Sequence, residues 1–170
     1  AERCKTLNAI DPDENSIQTA RARNLQNVTF DVGSANSLPF RDHDFDIVIF
    51  TLSFHHVPEE NMDAAIDEAI RVVRKNGYLI FLEPTLVGSL FEAEIYFDAW
   101  DGDERMQKMA ARQAILGNDS LTMICEMEDE GVIQFQSVDD FIKSTNPKQH
   151  RNEIQLFLEK HRYLLNANYT

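Results

Sequence analysis

The sequence predicts an α/β fold, a parallel sheet sandwiched by helices. Three observations carry this. Strand-like runs recur at TLNAID (residues 6–11), NVTFDV (27–32), FDIVIFT (45–51) and YLIFLEP (78–84). Helical or irregular crossovers separate them, as parallel strands require. The apolar run within 45–51 predicts a strand buried on both faces, the signature of a parallel sheet between helices.

Each element has its own reason. After the first strand, Asp11 to Asn15 supplies turn and capping residues. Residues 16–24 then read as a short helix, with Ile17, Ala20 and Leu25 on or near one face. GSANSLPF is irregular, punctuated by Gly33 and Pro39. Residues 59–75 predict an amphipathic helix on Met62, Ile66, Ala69, Ile70 and Val73. Acids open it, and Arg71, Arg74 and Lys75 close it, matching the helix dipole. Gly77 is placed to end it as a left-handed cap, and Pro84 ends the next strand. In the second half, 86–96 is apolar with sparse acids, and 105–116 predicts a helix. VIQFQS (132–137) alternates as a strand, and a helix begins at SVDDF with Ser137 or Asp139 as cap. Residues 152–164 predict an amphipathic helix using Ile154, Phe157, Leu158 and His161. There is no internal repeat or low-complexity linker.

A chain of 170 residues suits one domain. Its net charge of −13 repels nucleic acid and anionic lipid. No apolar stretch approaches the roughly 18–20 residues a membrane span needs. Cys4 and Cys125 lack metal-site or disulfide-framework spacing, so reduced thiols in a cytoplasmic protein are expected.

In an open parallel sheet, ligands bind beyond the carboxyl ends of the strands. Asp11, Ser34, Ala35, His55, His56 and Glu83 all follow strand ends and form a candidate rim. Asp11 reads equally as a ribose clamp and as a helix N-terminal acid. Gly33 reads as a close approach to a base, a positive φ or a plain turn. His55 and His56, on an extended segment, would point to opposite sides, and no third ligand stands at a useful spacing. No metal site is therefore expected. One histidine would line a pocket as substrate contact or proton acceptor, and the other would stabilise the loop.

As an ordered set, LNAIDPDENSIQTAR, VTFDVGSANSLPF, FDIVIFTLSFHHV and IDEAIRVVRKNGYLIFLEP resemble class I S-adenosylmethionine-dependent methyltransferases. The resemblance is to the small-molecule type related to the ubiquinone and menaquinone C-methyltransferases. It implies a Rossmann-like sheet and S-adenosylmethionine as cofactor. It implies that Asp11 holds the cofactor ribose, and that Gly33, Ser34 and Ala35 belong to the adenine-side loop. Ser34 stands where the family has an aspartate. Pro12 and Thr51 complete the implied cofactor set, and His55 and His56 lie at the implied methyl-transfer site. Residues 1–84 would be a partial cofactor-binding core. Residues 85–170 would be a variable acceptor side carrying one strand and a C-terminal helix, with Tyr96, Phe97 and Trp100 toward the acceptor, all within a single domain.

The family opens with a strand and a G-x-G-x-G loop, which no residue before TLNAID supplies. It ends with an antiparallel strand, and the chain stops at NANYT, where that strand is expected to begin. The fold is thus expected to be incomplete, a truncated chain lacking the family's first and last strands. The absent first strand is central, and unpaired buried backbone costs on the order of 1–3 kcal/mol per group. A segment outside the chain, closure of the flanking strands on each other, or a second copy or partner chain at the sheet edges would each resolve the gap. The first is the reading preferred. The function expected is methyl transfer to a small molecule, with His55 or His56 as base where the acceptor carries a proton. Whether the chain is itself an enzyme depends on the glycine-rich loop. The alternative is a non-catalytic relative acting as binding partner or scaffold. A nicotinamide enzyme shares the acid after a strand but not the SLPF and FHHV segments.

Overall fold

The computed structural model describes residues 4–148 and 151–170. The elements are β1 (Leu7–Asp11), α1 (Glu14–Arg21), β2 (Val28–Val32), β3 (Phe45–Thr51), a 3-10 turn (Phe54–His56), α2 (Glu59–Val72) and β4 (Val73–Leu82). Then follow α3 (Ser89–Phe97), α4 (Arg105–Gly117), β5 (Asp129–Gln134), α5 (Val138–Thr145), α6 (Arg151–Lys160) and β6 (Leu164–Tyr169). This is an α/β fold of mixed parallel and antiparallel strands with helices between them. No helix among the described residues is long and apolar enough to cross a membrane. The chain divides into two compact units, Ala1–Val48 with Glu60–Ile80 and Ile49–Glu59 with Phe81–Thr170.

In the first unit β1 and β2 pair in parallel, from Leu7 opposite Val28 to Asp11 opposite Val32. The crossover between them is α1, which buries Ile17. Along α2, Met62, Ala65, Ile66, Ala69 and Val72 are buried at the three- and four-residue steps of one face. The helix ends sooner than its pattern predicts. Val73 already belongs to β4, and Asn76, not Gly77, takes a left-handed backbone at φ 65°. Gly77 is therefore not the helix cap. It is needed for space: a Cβ there would lie 2.6 Å from the Asp46 carbonyl oxygen and 2.6 Å from Val73 Cγ2.

Arg71 ties α2 to the loop after β2. Its guanidinium donates to both carboxylate oxygens of Glu68 at 2.7 and 2.8 Å, to the carbonyls of Leu38 and Phe40, and to Asp42. Glu68 also accepts the Leu38 N–H at 2.8 Å. The SLPF segment and the arginine of RVVRKNG thus form one hydrogen-bonded clasp.

The strands form two-stranded sheets, β1 with β2, β3 with β4, and β5 with β6. Among the described residues β1 and β3 do not pair, so these strands do not close on each other. The expected burial of β3 on both faces is also corrected. Phe50 is buried while Ile47 and Ile49 are 46% and 56% exposed. Side chains alternate across a strand, and the face carrying Ile47 and Ile49 is left uncovered while that carrying Phe50 is not. Along β4 the same alternation leaves Tyr78, Ile80 and Leu82 exposed.

In the second unit β5 and β6 pair antiparallel, from Asp129 opposite Tyr169 to Gln134 opposite Leu164. Two expectations are corrected here. Helix α6 stops at Lys160, because Arg162 and Tyr163 turn left-handed at φ 55° and 61°. NANYT then lies within a strand instead of stopping short of one, so this region holds two strands. Leu165 on β6 joins Phe97, Phe141, Ile154 and Leu158 in a core where each is fully buried. Burying each such side chain contributes about 1.5–3 kcal/mol. Phe97, expected toward an acceptor, instead packs edge-on against Phe141 and Phe157. The Ser137 cap forms as expected, its Oγ accepting the Asp140 N–H at 3.0 Å.

Candidate functional site

The second unit builds a polar cluster where the chain leaves β3. Phe54 is fully buried, edge-on to Phe50 and Phe81, which stack on each other at 5.1 Å. This aromatic triplet seats the 3-10 turn and sets the direction of the next residue. His55 is 3% exposed. Its backbone N–H and those of Ser53 and Phe54 all donate to the Glu83 carboxylate, at 3.2, 3.3 and 3.0 Å. The His55 ring donates from Nδ1 to Glu83 Oε2 at 2.5 Å. A buried carboxylate with four N–H donors is well satisfied as an anion. Glu83 is itself fixed by Thr170, the residue after β6: its N–H donates to the Thr170 carbonyl and its carbonyl accepts the Thr170 N–H.

His56 does not point away from His55. The turn is 3-10, not extended, and the two ring centroids are 4.2 Å apart. Glu104 faces both, with Oε2 3.7 Å from His55 Nε2 and Oε1 3.3 Å from His56 Nδ1. A third potential ligand therefore exists, brought in by the N-terminus of α4. Lys108, one turn on, is 7% exposed and reaches Glu94 at 3.0 Å and Glu104 at 3.5 Å. Glu83 was expected on the rim but given no role, and Glu104 and Lys108 were not among the predicted site residues. Glu83 was legible only as an acid at a strand end. The Glu104–Lys108 spacing of four was the available signal for the other pair.

The first unit carries Asp11, Pro12, Gly33, Ser34 and Ala35, and there the bonding is local. Asp13, not Asp11, caps α1: its carboxylate accepts from Asn15 N–H at 3.2 Å and Ser16 N–H at 2.9 Å. The Ser16 hydroxyl and these N–H groups hold the Asp13 carboxyl below its usual range. That removes the cap reading of Asp11. Asp11 ends β1 and uses Oδ1 to accept the Asp13 N–H at 2.8 Å, across exposed Pro12. Gly33 donates its N–H to the Asp11 carbonyl at 3.1 Å. Its φ is not positive, and a Cβ there would meet Ile10 Cγ2 at 3.0 Å. Ser34 Oγ donates to Asn36 Oδ1 at 2.6 Å, and Ala35 sits within the same turn. Thr51 is exposed at the end of β3. Cys4 and Cys125 are both free and exposed.

Residues 1–81 match the family described as Methyltransferase domain. The uncharacterized protein YafE of Escherichia coli K12 is 44% identical over 66 residues, 39% of this chain and 31% of that protein. The ubiquinone/menaquinone biosynthesis C-methyltransferase UbiE of Rickettsia felis is 32% identical over 95 residues, 53% of this chain and 38% of that protein. The chain thus spans well under two thirds of the curated relatives it matches. Among solved structures, the YcgJ protein of Bacillus subtilis aligns with TM-score 0.60 at 19% identity, covering 97% of this chain and 80% of that one. Together these matches relate residues 1–81 to methyltransferase-domain proteins, and the chain has a Rossmann-like fold of the methyltransferase kind.

Proposed function

We propose that this chain serves S-adenosylmethionine-dependent methyl transfer to a small-molecule acceptor. The observation that carries the reading is Asp11. It ends β1 of a parallel pair, does not cap α1, and among the described residues its carboxylate is engaged through Oδ1, by the Asp13 N–H. That leaves Oδ2 as an acceptor for a ribose hydroxyl, so the residue fits the cofactor. Gly33, Ser34 and Ala35 would line its adenine side, with Pro12 beside it; Thr51 joins the cofactor set on the resemblance alone. The cofactor, when bound, supplies an already activated methyl group. The protein's task is then chiefly to orient the acceptor. His55 or His56 would take a proton where the acceptor carries one, and Glu83 fixes the tautomer of His55. The assignment of residues 1–84 to cofactor and 85–170 to acceptor, and a cytoplasmic location, belong to the same reading.

A second reading rests on Ser34. It stands where the family has an adenine-binding acid, and its hydroxyl is spent on Asn36. A non-catalytic relative acting as binding partner would tolerate that loss. Titration of the chain with S-adenosylmethionine separates the two. Saturable binding, weakened about tenfold in Asp11→Ala, supports the enzyme. No binding at millimolar cofactor supports the partner.

A further inference from the structure

We infer that His55, His56 and Glu104 form a binding site for a divalent first-row transition metal ion. One atom from each lies within 4.8 Å of the others. Two separations across the cluster are short, each to a different Glu104 oxygen. His55 Nε2 to Glu104 Oε2 is 3.7 Å and His56 Nδ1 to Glu104 Oε1 is 3.3 Å. Ligands bound at about 2.0–2.1 Å in a tetrahedron stand roughly 3.3 Å apart. The observed gaps are long for hydrogen bonds and close to that edge.

The second observation is the setting of His55. Its side chain is 4% exposed, and its Nδ1 proton is directed to Glu83. Its Nε2 faces Glu104 Oε2 at 3.7 Å, too long for a hydrogen bond. A cation bound in that gap would engage both groups. A carboxylate bonded to the far nitrogen is also the partner that metal-ligating histidines commonly have. Two imidazoles and one carboxylate suit zinc, cobalt, nickel or iron(II), in contrast to the all-oxygen sites of calcium and magnesium. Three protein ligands leave positions open to solvent or substrate.

Lys108 bears on affinity. Its ammonium lies 3.5 Å from Glu104 Oε2, although its nearer partner is Glu94 at 3.0 Å. A second cation there works against the metal, so binding is expected to be moderate. The site uses the same lone pairs as a proton acceptor would, yet it stands without any methyl-transfer chemistry.

Equilibrium dialysis of the chain against Co²⁺, with Cys4 and Cys125 alkylated, tests it. Saturable binding of a single equivalent is expected, weakened about tenfold or more in His56→Gln and in Glu104→Gln. His56 is half exposed, so its variant is expected to keep the fold, checked by circular dichroism. Imidazole nitrogen NMR should show the His55 Nε2 resonance perturbed by Co²⁺. The proposal is overturned by the absence of saturable binding, by undiminished binding in both folded variants, or by a His55 ring unmoved by Co²⁺.

Discussion

The end of β1 and the turn after β3 are both strand-end sites, yet they are held in opposite ways. Around Asp11 the bonds run between residues two or three apart, and the groups are exposed. Around His55 they reach 28 to 30 residues along the chain, and most are buried or partly buried. A locally held site can lose a side chain and keep its backbone. A site held by distant residues cannot, because its geometry and its stability share the same bonds. The contrast teaches that the first is read by ligand affinity and the second first by folding.

The largest effects should fall on the buried site. Glu83→Ala leaves three backbone N–H groups and a ring nitrogen without their acceptor, and is expected to cost about 3–5 kcal/mol. Phe54→Ala, which empties the centre of the aromatic triplet, should cost a similar 3–5 kcal/mol or so. Urea denaturation measures both. If either variant proved as stable as the parent, the idea that this site's geometry and stability are inseparable would fail.

Asp11→Ala should behave differently. Its midpoint of denaturation should shift little, while affinity for S-adenosylmethionine should fall about tenfold. A large stability loss with unchanged affinity would reverse the comparison.

A smaller effect concerns the clasp in the first unit. The Arg71 guanidinium, and secondarily the Leu38 N–H, hold the Glu68 carboxyl below its usual range. A depressed carboxyl contributes stability that is present above its unfolded pKa, about 4.3, and is lost as pH falls through the folded value. Acid titration of the folded state should therefore show a component below about pH 4–5 that vanishes in Glu68→Gln. An identical acid limb in parent and variant would contradict it.

What the sequence made legible follows the same division. β1, α1, β2 and β3 were readable because their signals are local: apolar runs, turn residues and a three- to four-residue period. Asp11 was readable as a site residue because an acid at a strand end is a local pattern. Its freedom from capping was not, since Asp13, two residues on, offers the same chemistry to the same helix. The α2 boundary was misplaced because Val73 fits a helix face and a strand equally well, and only pairing decides. The histidine cluster was hidden for a stronger reason. Its third member, Glu104, is 48 residues from His56 and sits in an acidic stretch that reads as solvent-facing. The 3-10 turn that brings the rings together depends on Glu83, which the sequence places on a different strand end.

The central claim is that Asp11 marks a cofactor site. Calorimetric titration of the parent chain and Asp11→Ala with S-adenosylmethionine tests it most directly. The account predicts saturable binding to the parent and about tenfold weaker binding to a variant of equal stability. No heat of binding at millimolar cofactor, or equal affinity in the two, would contradict it.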